Sequence, residues 1–229
     1  MKDVKFVLMD IEGTTTSVSF VYDVLFPYFQ KNIHLLAKLK NVKQVKRAFD
    51  EVKEIIEREE GREIITEEEI IEVLLEWSKQ DRKITPLKTV QGILWETAYK
   101  SGEIVGHVYP DVPSKLMDWK KMGLKLGVFS SGSIAAQRLL FGYSATGDLN
   151  RYFESNFDTT TGSKRDVETY KKIAKKVNFK PSQILFLSDV TEELEAAQKA
   201  GFKTIQLVRE GTVASWSETV EDFHEILLE

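Results

Sequence analysis

Near its start the chain carries a short apolar run, Phe6 to Met9, held between Lys5 and Asp10, and then a polar loop, Asp10-Ile11-Glu12-Gly13-Thr14-Thr15-Thr16. An unalternating run of this length predicts a strand covered on both faces. From about Tyr22 to Gly102 the apolar spacing changes to threes and fours, and strand patterns all but vanish. Val45, Ala48, Phe49, Val52, Ile55 and Ile56 make one apolar stripe between Lys and Glu positions, the pattern of an amphipathic helix. Thr66 with Glu69 predicts a capping box, followed by a helix face of Ile70, Val73, Leu74 and Trp77. Thr85 and Pro86 open a further helix, with Leu87, Val90 and Leu94 on its face and Gly102 near its end. A first helix carries Leu25, Phe29, Ile33 and Leu36 and is started or kinked by Pro27.

Beyond Gly106 short apolar runs alternate with helical patterns, which predicts a parallel sheet built from βα units. The strands are Leu124 to Phe129, Ile184 to Leu187 and Thr204 to Val208. The helices are Val112 to Met122, Ile134 to Phe141, Asp166 to Val177 and Glu192 to Ala200, with Gly123 and Gly201 closing the first and last. The organisation that follows is an α/β core of residues 1–20 plus 106–229, with an all-helical unit, residues 21–105, inserted after the first strand.

Composition narrows the function classes. With 229 residues, 42% of them hydrophobic and 30% charged, the chain can bury a substantial core. A net charge of −4 gives no basic surplus for nucleic acid or an anionic membrane. The absence of cysteine removes disulfides, thiolate nucleophiles and Cys-ligated zinc. Met1-Lys2-Asp3-Val4-Lys5 lacks the apolar core of a signal peptide and no apolar stretch approaches a membrane span, so a cytoplasmic protein is expected.

In an open parallel sheet ligands gather beyond the carboxyl ends of the strands. Three strand ends carry polar clusters: Asp10 with Glu12, Ser130-Ser131-Gly132-Ser133, and Asp189 with Glu192 and Glu193; Lys164 lies in a loop between the last two. Carboxylates from two strand ends suit a hard cation such as Mg²⁺. Asp10 could attack phosphorus to form an aspartyl-phosphate, Ser130 or Ser131 could cradle phosphate oxygens, and Lys164 could neutralise transition-state charge. Each cluster alone has an ordinary reading, as a turn, a helix cap or a solvated lysine. Their joint occurrence in this order at successive strand ends favours chemistry.

The order Asp10-x-Glu12-Gly13-Thr14, then Ser130, Lys164 and Ser188-Asp189 resembles the haloacid dehalogenase (HAD) superfamily of Mg²⁺-dependent phosphatases. The resemblance implies a HAD-like Rossmannoid core with a helical cap. Most members carry Asp-x-Asp at the first motif, where this chain has Glu12. One branch is closer. Asp10-Ile11-Glu12-Gly13-Thr14-Thr15, the segment Phe20 to Tyr28, Ser130-Ser131-Gly132-Ser133, Gln137 to Gly142 and Leu185 to Thr191 are similar to the acireductone synthase family, the enolase-phosphatases of methionine salvage. That resemblance implies enolisation of 2,3-diketo-5-methylthiopentyl 1-phosphate and then hydrolysis of its ester to the acireductone, 1,2-dihydroxy-3-keto-5-methylthiopentene, and phosphate. By position it implies one Mg²⁺ held by Asp10, Glu12 and Asp189, substrate held by Ser130, Ser131 and Lys164, and catalysis by Asp10, Glu12 and Lys164. It also implies a monomer whose partner is a small phosphate ester, and a cap that closes over the catalytic face. A plain HAD phosphatase, a receiver-type signalling domain and a catalytically silent binding module are the competing readings.

Overall fold

A computed structural model describes residues 1–229, and the chain divides into two compact units, Met1–Phe20 with Val105–Glu229, and Val21–Ile104. The first unit holds a six-stranded sheet of β1 (Phe6–Met9), β2 (Lys125–Phe129), β3 (Ser155–Phe157), β4 (Ile184–Ser188), β5 (Lys203–Leu207) and β6 (Thr219–Val220), in the order β3-β2-β1-β4-β5-β6. Every pairing is parallel. β1 is central, with Met9 level with Val128 on one side and Leu187 on the other. Strand order reverses around β1, so the loops after β1, β2 and β4 leave the sheet at the crevice where α/β folds bind ligands.

Residue alternation divides the core between the two faces of the sheet. Val7, Met9, Leu126, Leu185, Leu187, Ile205 and Leu207 pack with Val112, Leu116 and Trp119 of α5 (Asp111–Lys121) and with Phe223 and Ile226. Phe6, Leu8, Ile184 and Phe186 pack with Tyr170 and Ile173 of α7 (Val167–Val177) and Leu194 and Ala197 of α8 (Thr191–Lys199). Two strands escaped the sequence pattern, β3 and β6. Both are short edge strands, of three and two residues, and neither has an apolar run to mark it.

The second unit is all helical: α1 (Phe26–Asn32), α2 (Lys43–Glu60), α3 (Glu67–Lys79) and α4 (Thr85–Ser101), with irregular turns around α1. The stripe of α2 is buried at Val45, Ala48, Phe49, Val52 and Ile56, with Ile55 at its margin. Thr66 and Glu69 form the expected capping box. The single first helix of the sequence pattern is instead three pieces: a π-helical turn at Phe20–Leu25, α1, and a 3-10 segment at Ile33–Leu39. Pro27 sits in the first turn of α1, where its missing N–H costs nothing, and it bars a regular helix from running through from Phe20. The remaining core helix of the first unit is α6 (Ile134–Gly142).

Candidate active site

The loop after β1 is folded on its own backbone. The Ile11 carbonyl accepts from the amides of Thr14, Thr15 and Thr16 at 3.1, 2.9 and 2.9 Å, and Gly13 N–H donates to the Thr16 carbonyl at 2.8 Å. Gly13 takes a φ of +74°, and a Cβ built there would stand 2.3 Å from Asp189 Oδ2. Glycine is required on both counts, left-handed backbone and close approach. Asp10, buried at the end of β1, is held to β4 by its N–H donating to the Leu187 carbonyl at 2.9 Å. Its Oδ1 accepts from the Ile11 amide at 2.7 Å and pairs with Lys164 Nζ at 2.5 Å, and its Oδ2 accepts from Ser188 Oγ at 3.3 Å.

Ser130 leaves β2 beside this loop and donates to Glu12 Oε2 at 3.0 Å, while its Oγ accepts from Gly132 N–H at 3.1 Å. Ser131 follows, half-buried. Gln137 of α6 donates to the carbonyls of Gly132 and Phe157 at 3.0 and 2.8 Å, and so ties the Ser130 turn to β3. Lys164 is buried, paired with Asp10 and with Glu193 Oε2 at 2.6 Å, its ammonium 5.7 Å from the Phe129 ring. Ser188 Oγ also lies 3.0 Å from Glu193 Oε2, so its single proton serves Asp10 or Glu193 in turn.

The charges are unequal. Asp10, Glu12, Asp189 and Glu193 act on one another and on the single ammonium of Lys164. Burial and then Asp10 raise the Asp189 carboxyl to about 7 and Glu193 likewise to about 7. Glu12 is raised in the same order, by burial and then Asp10, against the lowering by its own amide, Lys164 and Ser130. Burial works against the charge of Lys164, but Asp10 and Glu193 outweigh it and hold the ammonium above the ordinary lysine range. Asp189 Oδ1 is buried without a hydrogen-bond partner. An excess of carboxylate oxygen, one atom of it unsatisfied, is a donor set suited to a hard divalent cation.

No three acidic or histidine side chains are already gathered as a metal shell. The Glu12 carboxylate accepts from Ser130, within electrostatic reach of Asp10 and Asp189. Mg²⁺ keeps most of its shell as water and substrate oxygen, so few protein oxygens need already be in place.

The structure brings together Asp10, Glu12, Ser130, Lys164 and Ser188, and sets Gly13 against Asp189. Three buried participants lie outside the sequence-derived set. Glu193 belongs to the polar cluster at the end of β4 in the sequence but carries no assigned role there, and its position four residues after Asp189 at a strand-to-helix turn is the available signal. Arg209, two residues past β5, meets Asp111 at 2.7 Å and the Thr14 carbonyl at 3.2 Å. The strand-end rule applied to β5 would have found Arg209, whereas nothing local marks Asp111.

A family model described as haloacid dehalogenase-like hydrolase matches residues 4–201. The chain belongs to this hydrolase family. Among HAD relatives, it is 52% identical over 221 residues to an enolase-phosphatase E1 of Picosynechococcus sp., covering 96% of each chain. It is 44% identical to the enolase-phosphatase E1 of Aquifex aeolicus, covering 97% of this chain and 99% of that one. Among solved structures, the UTR4 protein of Saccharomyces cerevisiae superposes with a TM-score of 0.81 at 31% identity, over 97% of this chain and 100% of that one. A dehalogenase with an intermediate complex, at 17% identity and a TM-score of 0.59 over 98% and 96%, shares the HAD fold. No helix is long and apolar enough to cross a membrane.

Proposed function

We propose that the chain is an Mg²⁺-dependent enolase-phosphatase that converts 2,3-diketo-5-methylthiopentyl 1-phosphate to acireductone and phosphate in methionine salvage. Likeness over 96% of the chain to a relative named enolase-phosphatase E1 carries the reading. The buried Asp10 carboxylate, with Lys164 on one oxygen and Ser188 on the other, supports the phosphatase half. In this reading residues 1–20 and 106–229 are the catalytic core and residues 21–105 the cap domain.

Asp10 is the nucleophile. A carboxylate oxygen forms a bond to phosphorus as the ester P–O bond breaks, and the leaving oxygen takes a proton. Water then cleaves the aspartyl-phosphate and restores Asp10. Lys164, already fixed on Asp10, compensates the charge that builds on the phosphoryl oxygens. The hydroxyls of Ser130 and Ser131 hold the phosphate, which requires Ser130 to release Glu12. Glu12, its pKa raised by burial and then Asp10, is the group that moves the enolising proton, a carboxylate with a raised pKa being the stronger base. Asp10, Glu12 and Asp189 would hold Mg²⁺, which would supply Lewis-acid polarisation for both half-reactions.

The test follows phosphate release and the enol and acireductone absorbances from the diketo-phosphate, with and without Mg²⁺, beside a panel of ordinary phosphate esters. Mg²⁺-dependent release with both absorbance phases and poor turnover of the panel is expected. Release from the panel without the phases would leave a general HAD phosphatase, and normal release by Asp10→Asn would transfer the nucleophile's role to water. Full activity of Glu12→Gln in both steps would remove Glu12 from the enolisation.

A further inference from the structure

Arg209 spends every donor it has. Nε donates to the Thr14 carbonyl at 3.3 Å and Nη2 to the same carbonyl at 3.2 Å. Nη1 and Nη2 reach Asp111 Oδ1 and Oδ2 at 3.1 and 2.7 Å, and Nη1 also reaches the Glu221 carbonyl at 3.0 Å. An arginine carries five N–H groups, and all five are used. The guanidinium is buried and lies 4.1 Å over the Tyr109 ring. Asp111 Oδ2 accepts in addition from Phe223 N–H at 2.8 Å. One side chain therefore joins the loop after β1, the start of α5 and the segment after β6.

Such a group has no donor left for a phosphate oxygen, so it does not serve as a substrate arginine. Nor is a buried ion pair by itself an argument for stability, since hydrophobic residues of the same volume often do as well. What a saturated, planar fork supplies is geometry. Its grip on the catalytic loop is through the main chain: the Thr14 hydroxyl is buried and has no hydrogen-bond partner, while the Thr14 carbonyl takes two N–H groups. Thr14 directly follows Gly13, whose backbone is pressed against the Asp189 carboxylate, and the same turn carries Asp10. A shift of the Thr14 carbonyl is thereby a shift of Gly13 against Asp189.

We propose that Arg209, braced by Asp111, is a positioning residue that sets the spacing of Asp10 and Asp189 for phosphoryl transfer. The inference rests on the phosphatase reading above. Lysine offers three donors from a single nitrogen and cannot serve Thr14, both Asp111 oxygens and Glu221 together.

The test compares wild type, Arg209→Lys, Arg209→Ala and Asp111→Asn for kcat and KM of phosphate release, and for binding of Mg²⁺ to the metal-free protein by calorimetry. A misplacement of about 1 Å costs on the order of 100-fold in rate. Arg209→Lys is therefore expected to lower kcat about 10- to 100-fold with KM little changed, and to weaken Mg²⁺ binding about tenfold. Millimolar guanidinium is expected to restore part of the kcat of Arg209→Ala. A folded Arg209→Lys with wild-type kcat and Mg²⁺ affinity would overturn the proposal. So would guanidinium that raises the melting temperature of Arg209→Ala while leaving its kcat unmoved, because that is the behaviour of a purely structural brace. Absence of phosphate release from wild type would instead refute the phosphatase reading, which keeps the two failures distinct.

Discussion

Gly13→Ala separates stability from chemistry. At a φ of +74° an alanine pays the left-handed penalty, about 1–2 kcal/mol. Its Cβ would stand 2.3 Å from Asp189 Oδ2 and 2.5 Å from Cγ, where ordinary contact begins at 3.4 Å. Carboxylate or loop must yield by about 1 Å. The carboxylate is the end of a side chain and moves at small cost in folding energy, but in moving it abandons the position proposed to serve Mg²⁺. The expected thermal shift is about 2–8 °C, from roughly 2–4 °C per kcal/mol for a chain of this size. The expected loss in kcat is on the order of 100-fold, with weaker apparent Mg²⁺ affinity. Thermal melts alongside phosphate release over a Mg²⁺ series measure both. A Gly13→Ala enzyme with the predicted melt and wild-type kcat would refute the idea that Gly13 holds Asp189 in place.

Four further outcomes are expected. Because Asp189 is raised to about 7 by burial and Asp10, the metal-free native state binds more protons than the unfolded chain between roughly pH 4 and that value. Its stability contribution declines as pH rises through this window, so melts should show a steeper decline in wild type than in Asp189→Asn, and equal slopes would contradict the assignment. For the same reason Mg²⁺ binding to wild type, measured by calorimetry, should weaken as pH falls below about 7. Lys164→Met leaves Asp10 and Glu193 buried without their cation, at a cost of about 3–5 kcal/mol in urea unfolding at pH 8; the deficit should shrink at pH 5, where protonation of Glu193, raised to about 7 by burial and Asp10, relieves part of it. Thr66→Ala removes the hydroxyl that accepts from Glu69 N–H at 3.2 Å, and should lower stability by about 1 kcal/mol without altering kcat.

Local rules were sufficient for much of this protein. Apolar spacing placed the four long runs Val45 to Ile56, Ile70 to Trp77, Leu87 to Leu94 and Asp166 to Val177 in helices, since a helix that buries one face must repeat every three or four residues. Runs rich in apolar residues placed β1, β2, β4 and β5 to within a residue or so, because a strand covered on both faces is mostly apolar, Lys125 of β2 and Thr204 and Gln206 of β5 being among the exceptions. The strand-end rule then singled out Asp10, Ser130 and Asp189 before any contact was known. Tertiary structure decided the rest. β3 and β6 exist because a neighbouring strand pairs with them, not because their own residues demand it. That Glu12 turns to Ser130, that Glu193 shares Lys164 with Asp10, and that Arg209 spans Thr14, Asp111 and Glu221 are all relations between segments distant in the chain. Sequence spacing carries no record of such partners, because a buried charge is defined by what meets it, and only folding of the sheet brings those groups together.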